Sequence, residues 1–197
     1  MSIHCDSLEP KLYLSEDEIT SFDQRLEKLG ILKDEKYIGF LIGAGSPSKE
    51  WPAKNADLFL GYCLNKFPQY KVVMLGSNLR LAEQIHQKNN PQVLNLVGET
   101  SLRELCILIK RSALFVGSDS GPTHIAAALG IPAIFLYSGT NDFERWRPLA
   151  EMATILRHPV PCSPCYLETC NVKGHPCMSE IKPVEVIKKL EKVLPST

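Results

Sequence analysis

The sequence predicts a doubly wound α/β fold, a Rossmann-like parallel sheet covered by helices on both faces. Three observations carry that expectation. From Tyr37 onward, short continuous apolar runs alternate with segments of helical spacing, as strands buried on both faces and their covering helices require. The runs end in glycine or small polar residues, in the stretches GAGSPSKEW, GSN, GET, GSDSGPTH and YSGTND. All of these stretches fall at the carboxyl ends of strands, the edge where open parallel sheets bind ligands.

Each element follows from its own pattern. Residues 15–29, SEDEITSFDQRLEKL, read as a helix with an acidic first turn, and Ser15 and Glu18 have capping-box spacing. YIGFLIG (37–43) is the first strand, NADLFLGYCLNKF (55–67) a helix and YKVVMLG (70–76) the second strand. LRLAEQIHQKN (79–89) is expected as a helix, QVLNLVG (92–98) as a strand and SLRELCILIKRS (101–112) as a strongly amphipathic helix. ALFVGSD (113–119), PTHIAAALG (122–130) and PAIFLYSG (132–139) complete a further strand, helix and strand. A segment rich in Cys and Pro, 159–178, precedes a closing helix, PVEVIKKLEKVL (183–194), with Pro183 near its N-terminus. Residues 1–36 then form a linker and lead-in helix before a domain of residues 37–197.

Composition limits the function classes. The chain has 197 residues, 44% hydrophobic and 22% charged, enough for one domain with one sizeable core. Lys+Arg and Asp+Glu balance at 22 each, which argues against a nucleic-acid binder and leaves room for a local basic pocket. No apolar run approaches the roughly 20 residues that span a bilayer. The start, MSIHCDSLEPKLYL, is too polar for a signal peptide. Seven cysteines, an odd number without an export signal, point to a reducing cytoplasm.

The turn GSDSGPTH carries the most specific chemistry. With Pro122 in the first helical turn, Ser120 or Gly121 is the cap, and the amides of Thr123 and His124 lack intrahelical partners. Free N–H groups at the positive end of a helix dipole form an anion site, and His124 is close enough to donate to a phosphate oxygen. A second turn, GAGSPSKEWP, holds Gly43, Gly45, Ser46, Ser48 and Lys49 after the first strand. It lacks the spacing of a Walker loop. In the common doubly wound order the first and fourth strands are neighbours, which brings the two turns together. Their joint expectation is a diphosphate pocket.

Other readings compete. GSDSG could be a nucleophile elbow of an α/β-hydrolase, with Asp119 as nucleophile and His158 or His175 as the late histidine; that reading leaves Lys49 without a role. Cys162, Cys165, Cys170 and Cys177 with His175 could form a zinc site, but the later cysteine spacings fit no standard finger. Packed, reduced thiols are the plainer expectation, and no metal is assigned. Trp51 is expected to pack rather than stack on a base, and Arg145 and Arg147 to face solvent. His4 and His86 belong to no constellation and are expected at the surface.

GAGSPSKEWP, VGETSLREL, DSGPTHIAAALGIP and YSGTND occur in an order and spacing that resemble the ADP-heptose:lipopolysaccharide heptosyltransferases, glycosyltransferase family nine. The tail CSPCYLETCNVKGHPCMSEIKPVEV also resembles the Cys-rich segment of their second branch. The resemblance implies the carboxyl-terminal, nucleotide-sugar-binding half of an inverting enzyme of GT-B architecture, with residues 37–197 as that domain. It implies that Lys49, with Ser46 nearby, contacts the diphosphate, and that Asp119 reaches sugar hydroxyls. It implies further that Ser120, Gly121 and His124 hold phosphate, and that Thr100 and Ser101 border the adenine. The family glutamate for the ribose is replaced by Arg80, which leaves Glu83, one turn later, as its substitute.

The implied donor is an ADP-sugar, with ADP-heptose first, and no cofactor is implied. The implied acceptor is a lipid A-core molecule held by an amino-terminal half that also carries the general base, so no catalytic residue is assigned here. Residues 1–36 are expected to be a linker and helix rather than such a half, and this chain alone is expected to bind nucleotide and to transfer sugar poorly or not at all. The expected location is the cytoplasm, at the inner face of the inner membrane, with peripheral membrane association for the full enzyme. A stand-alone, non-catalytic nucleotide-binding module is the alternative.

Overall fold

The computed structural model describes residues 10–150 and 152–194; His4 lies outside them. Helix α1 (Glu16–Lys28) is capped by Ser15, whose amide and hydroxyl exchange hydrogen bonds with Glu18. Strand β1 (Tyr37–Ile42) is buried throughout. Then follow α2 (Ala53–Lys66), β2 (Lys71–Gly76), α3 (Leu79–Glu83), β3 (Val93–Asn95) and α4 (Leu102–Arg111). The chain continues through β4 (Leu114–Ser118), α5 (Gly121–Ala128), β5 (Ala133–Tyr137), α6 (Phe143–Trp146) and β6 (Ala153–Arg157). It closes with α7 (Pro176–Ser179) and α8 (Pro183–Val193).

The six strands form one parallel sheet in the order β3-β2-β1-β4-β5-β6. This is the doubly wound order, with its reversal between β1 and β4. Ile38, Gly39 and Phe40 of β1 lie beside Leu114, Phe115 and Val116 of β4, so the turns that leave both strands emerge side by side.

Strand periodicity sorts the core into two layers. Ile38, Phe40 and Ile42 point to one face, where Phe59, Leu60 and Cys63 of α2 and Val186, Ile187 and Leu190 of α8 cover them. Tyr37 and Leu41 point to the other, beneath Phe22 and Leu26 of α1, Ile107 of α4 and Ala126 and Ala127 of α5. Alanine in α5 keeps that helix close to the sheet and to α4. The lead-in helix is therefore part of a packed layer.

Three arginines fasten α1 to α4. Arg103 grips Glu18 with Nε and one terminal nitrogen, both at 2.6 Å. Arg25 pairs with Glu104 and donates to the Glu99 carbonyl at 2.8 Å. Arg111 pairs with Asp23, and both side chains are largely buried.

Several boundaries differ from those expected. The helix expected over 79–89 stops at Glu83, and a 3-10 turn covers His86–Asn89. Ile85, fully buried, pulls the chain into the core between them, and the Gln87 amide is taken by Asp57 at 2.9 Å. The third strand is three residues, Val93–Asn95, rather than the longer run expected. Strand β6 was not foreseen, nor were the single-turn helices α6 and α7.

Candidate nucleotide-sugar site

The site sits where the strand order reverses. After β1 the chain turns through Gly43, at φ +89°, and reaches a 3-10 turn, Pro47–Lys49, that ends on the lysine. Trp51 then anchors the start of α2: its ring lies edge-on to Phe40, and its Nε1–H donates to the Ile181 carbonyl at 2.9 Å. Trp51 packs, as expected. After β4, Asp119 donates its amide to the Leu136 carbonyl at 3.2 Å, and Ser120 caps α5 in extended backbone.

The two turns meet. Lys49 Nζ is 3.2 Å from Asp119 Oδ2, with the lysine side chain 18% exposed and the carboxylate 4%. Asn141, in the turn after β5, donates from Nδ2 to the same oxygen at 3.1 Å. A buried carboxylate needs such partners, because desolvation of an unpaired charge costs several kcal/mol. Tyr137, at the end of β5, is kept protonated by burial and then by the neighbouring Asp119 charge.

An open cavity of about 550 Å³ lies over the turns, within the range of small-molecule sites. Lys49 and Asp119 line it beside backbone of Gly43, Ala44 and Gly45 and of Ser120 and Gly121. Thr100, Ser101, Leu102 and Leu105 form another wall, where Ser101 caps α4 by accepting from the Glu104 amide at 3.3 Å. A charged pair, glycine-bearing turns and a wall of two hydroxyl residues and two leucines thus surround one space.

Six of the nine residues singled out from sequence line this cavity: Lys49, Thr100, Ser101, Asp119, Ser120 and Gly121. The other three stand outside its lining. Ser46 faces the Ser48 hydroxyl at 3.1 Å. His124 is half-buried in the first turn of α5, and Glu83 is exposed at the end of α3. The Thr123 amide is not free: it donates to the Ser120 carbonyl at 3.1 Å, and the Thr123 hydroxyl donates there too, at 2.5 Å. This 3-10-type bond takes one of the two amides expected to be free.

Asn141, Thr140 and His175 were not singled out for these contacts. Among the described residues no histidine is a hydrogen-bond partner of Asp119, so a hydrolase-like pairing with His158 or His175 finds no support; His175 is bonded to the Ser48 carbonyl instead. The tail cysteines Cys162, Cys165, Cys170 and Cys177 surround a separate small cavity with His175. Among the described residues no group of three or more His, Cys, Asp or Glu side chains is arranged to hold a metal ion. Arg145 and Arg147 are exposed, as is His86.

Residues 3–175 match the model of glycosyltransferase family 9 (heptosyltransferase). The chain belongs to this family. It is 31% identical over 172 residues to lipooligosaccharide heptosyltransferase 2 of Campylobacter jejuni, covering 83% of this chain and 53% of that one. It is 34% identical over 158 residues to lipooligosaccharide heptosyltransferase 2 of Haemophilus influenzae, covering 76% and 45% respectively. The structure of Escherichia coli ADP-heptose lps heptosyltransferase II superposes with a TM-score of 0.74 at 27% identity, over 93% of this chain and 53% of that one. The family 9 chain therefore spans about half the length of the curated relatives it matches. No described helix is long and apolar enough to cross a membrane.

Proposed function

We propose that this chain is the carboxyl-terminal, donor-binding half of an inverting GT-B heptosyltransferase of lipopolysaccharide core biosynthesis, and that its cavity binds an ADP-sugar, ADP-heptose first. One observation carries the reading: the Lys49–Asp119 pair at 3.2 Å, beside exposed strand-end backbone in a cavity of about 550 Å³. The ammonium neutralises the diphosphate and Asp119 turns to sugar hydroxyls. Backbone of Gly43–Gly45 and Ser120–Gly121 approaches the phosphates, and Thr100, Ser101 and Leu105 border the base.

In transfer, an acceptor hydroxyl attacks the anomeric carbon, the bond to the diphosphate breaks and ADP leaves carrying the negative charge. This chain's share is to hold that charge through Lys49 and the helix N-terminus. A lipid A-core acceptor and the base that removes its proton belong to a separate half, working at the cytoplasmic face of the inner membrane. Ser46, His124 and Glu83, which stand outside the lining, take outer roles around the ligand.

Calorimetric titration of the 197-residue chain with ADP and ADP-heptose is the test. Saturable binding of both, weakened at least about tenfold in Lys49→Ala, is expected; no binding of either overturns the reading. Because the chain spans half of its relatives' length, a non-catalytic module acting beside a partner is the second reading. Heptose transfer restored by adding an acceptor-binding half favours the first, and binding with no transfer under that condition favours the second.

A further inference from the structure

We propose that Thr140 and His175 are positioning residues: by clamping the Ser48 carbonyl they hold Lys49 over the diphosphate site, and so the Cys-rich tail governs donor affinity. This rests on the diphosphate reading above. The Ser48–Lys49 peptide is planar, so whatever fixes the Ser48 carbonyl also fixes the amide and Cα of Lys49. That carbonyl accepts from Thr140 Oγ1 at 3.2 Å and from His175 Nε2 at 2.9 Å. A carbonyl only accepts, so Nε2 carries a proton. On the other side of the residue, the Ser48 amide donates to the Glu168 carbonyl at 3.0 Å.

Ser48 is buried, at 1% exposure, so water cannot replace these donors. Both tail contacts, from Glu168 and His175, lie more than a hundred residues along the chain from Ser48. The turn after β5 works on both partners of the ion pair at once: Thr140 holds the lysine side through Ser48, and the next residue, Asn141, holds Asp119. His175 keeps its place with left-handed backbone, φ 48°, at the head of α7, whose Ser179 carbonyl receives Asn55 of α2 at 3.0 Å. The tail thus braces the turn before Lys49 and the helix after it.

The experiment compares ADP binding to wild type, Thr140→Val, Thr140→Ser, His175→Leu and His175→Gln, each also with Lys49→Ala. Thr140→Val and His175→Leu are expected to weaken ADP about fivefold each. Thr140→Ser and His175→Gln keep a donor and are expected to return affinity to within about twofold of wild type. With Lys49→Ala present, Thr140→Val is expected to add less than about twofold, because its route to ADP is gone.

Wild-type affinity in folded Thr140→Val and His175→Leu overturns the inference, as does an equal loss in the Lys49→Ala background. Should wild type bind no ADP, or Lys49→Ala bind it normally, the diphosphate reading fails and this inference fails with it. If His175→Leu does not fold, the isosteric Thr140→Val decides alone. A second measurement follows the 13C-dimethyl signal of Lys49 after reductive methylation, assigned by its loss in Lys49→Arg. Thr140→Val should shift or broaden it and Thr140→Ser should not; an unmoved signal in Thr140→Val overturns the clamp.

Discussion

Lys49 and Asp119 come from turns on either side of the sheet's reversal point, and their side chains meet at 3.2 Å. The pair joins β1 to β4 at the edge where ligands bind, with the carboxylate almost completely buried. Removing the lysine therefore does two things. Lys49→Ala should weaken ADP binding at least about tenfold, or 1.4 kcal/mol, by calorimetry. It should also cost about 2 kcal/mol in urea unfolding, since Asp119 loses its cation and, among the described residues, keeps Asn141 as its side-chain partner. Unchanged affinity counts against the pocket.

Asp119→Asn keeps the size of the side chain and removes its charge. Lysine then faces the diphosphate without a competing carboxylate, so ADP binding should hold or tighten. Any preference for ADP-heptose over ADP should shrink, as the proposed acceptor for sugar hydroxyls is weakened. Equal losses for both ligands, measured in parallel titrations, contradict this role.

Acid should loosen α1. Hydrogen bonds from Arg103, then from the Ser15 amide, hold Glu18 down to about 2. Burial pushes Glu104 up, but the Ser101 amide and hydroxyl and then Arg25 outweigh it and leave its carboxyl lowered. A carboxylate whose folded value is depressed contributes stability above its unfolded value, about 4.3. That contribution is lost as pH falls through the folded value. Urea midpoints should drop between pH 4.5 and 2, and Arg103→Ala should shallow that drop. A midpoint flat across this window refutes the claim.

Glycines at strand ends are not equivalent. Gly76 has φ +124°, and a Cβ there would sit 2.2 Å from the Ile42 carbonyl oxygen. Gly76→Ala should cost about 3 kcal/mol, read by chemical unfolding. Gly45 has open space where its Cβ would lie, so Gly45→Ala should change stability by less than about 1 kcal/mol. A milder effect at Gly76 than at Gly45 would reverse the assignment.

Thiol reagents should divide the cysteines. Cys63 is buried and pushed up to about 12 by desolvation, and Cys106 is raised by burial as well. Cys162 is exposed. Iodoacetamide at neutral pH should label Cys162 first and leave Cys63 and Cys106 unmodified until denaturant is added, as peptide mass analysis would show.

The layers of the sheet were legible because β1, β2, β4 and β5 are central and carry unbroken apolar runs. Strand β6 was not, since its residues at the sheet edge are only half-buried and it ends on exposed Arg157. Helix α3 was overread because Ile85 continues the helical spacing while in fact leaving the helix for the core. In the site, Lys49 and Asp119 stood out because glycine and proline punctuate turns at strand ends. Thr140 and Asn141 lie in YSGTND, a marked strand-end turn, and His175 stood out only as a zinc or hydrolase candidate; their contacts with one carbonyl and one carboxylate come from remote elements, and no local spacing encodes a contact of that kind. His124, in the same turn as Asp119, lies outside the cavity lining.

The arginine contacts on α1 have a mechanical consequence. Arg25 holds Glu104, and Glu104 holds the amide of Ser101 at 2.7 Å, on a wall of the cavity that Lys49 also lines. The lead-in helix is therefore tied to that wall by one ion pair and one hydrogen bond, so that its seating and the shape of the cavity rim are shared.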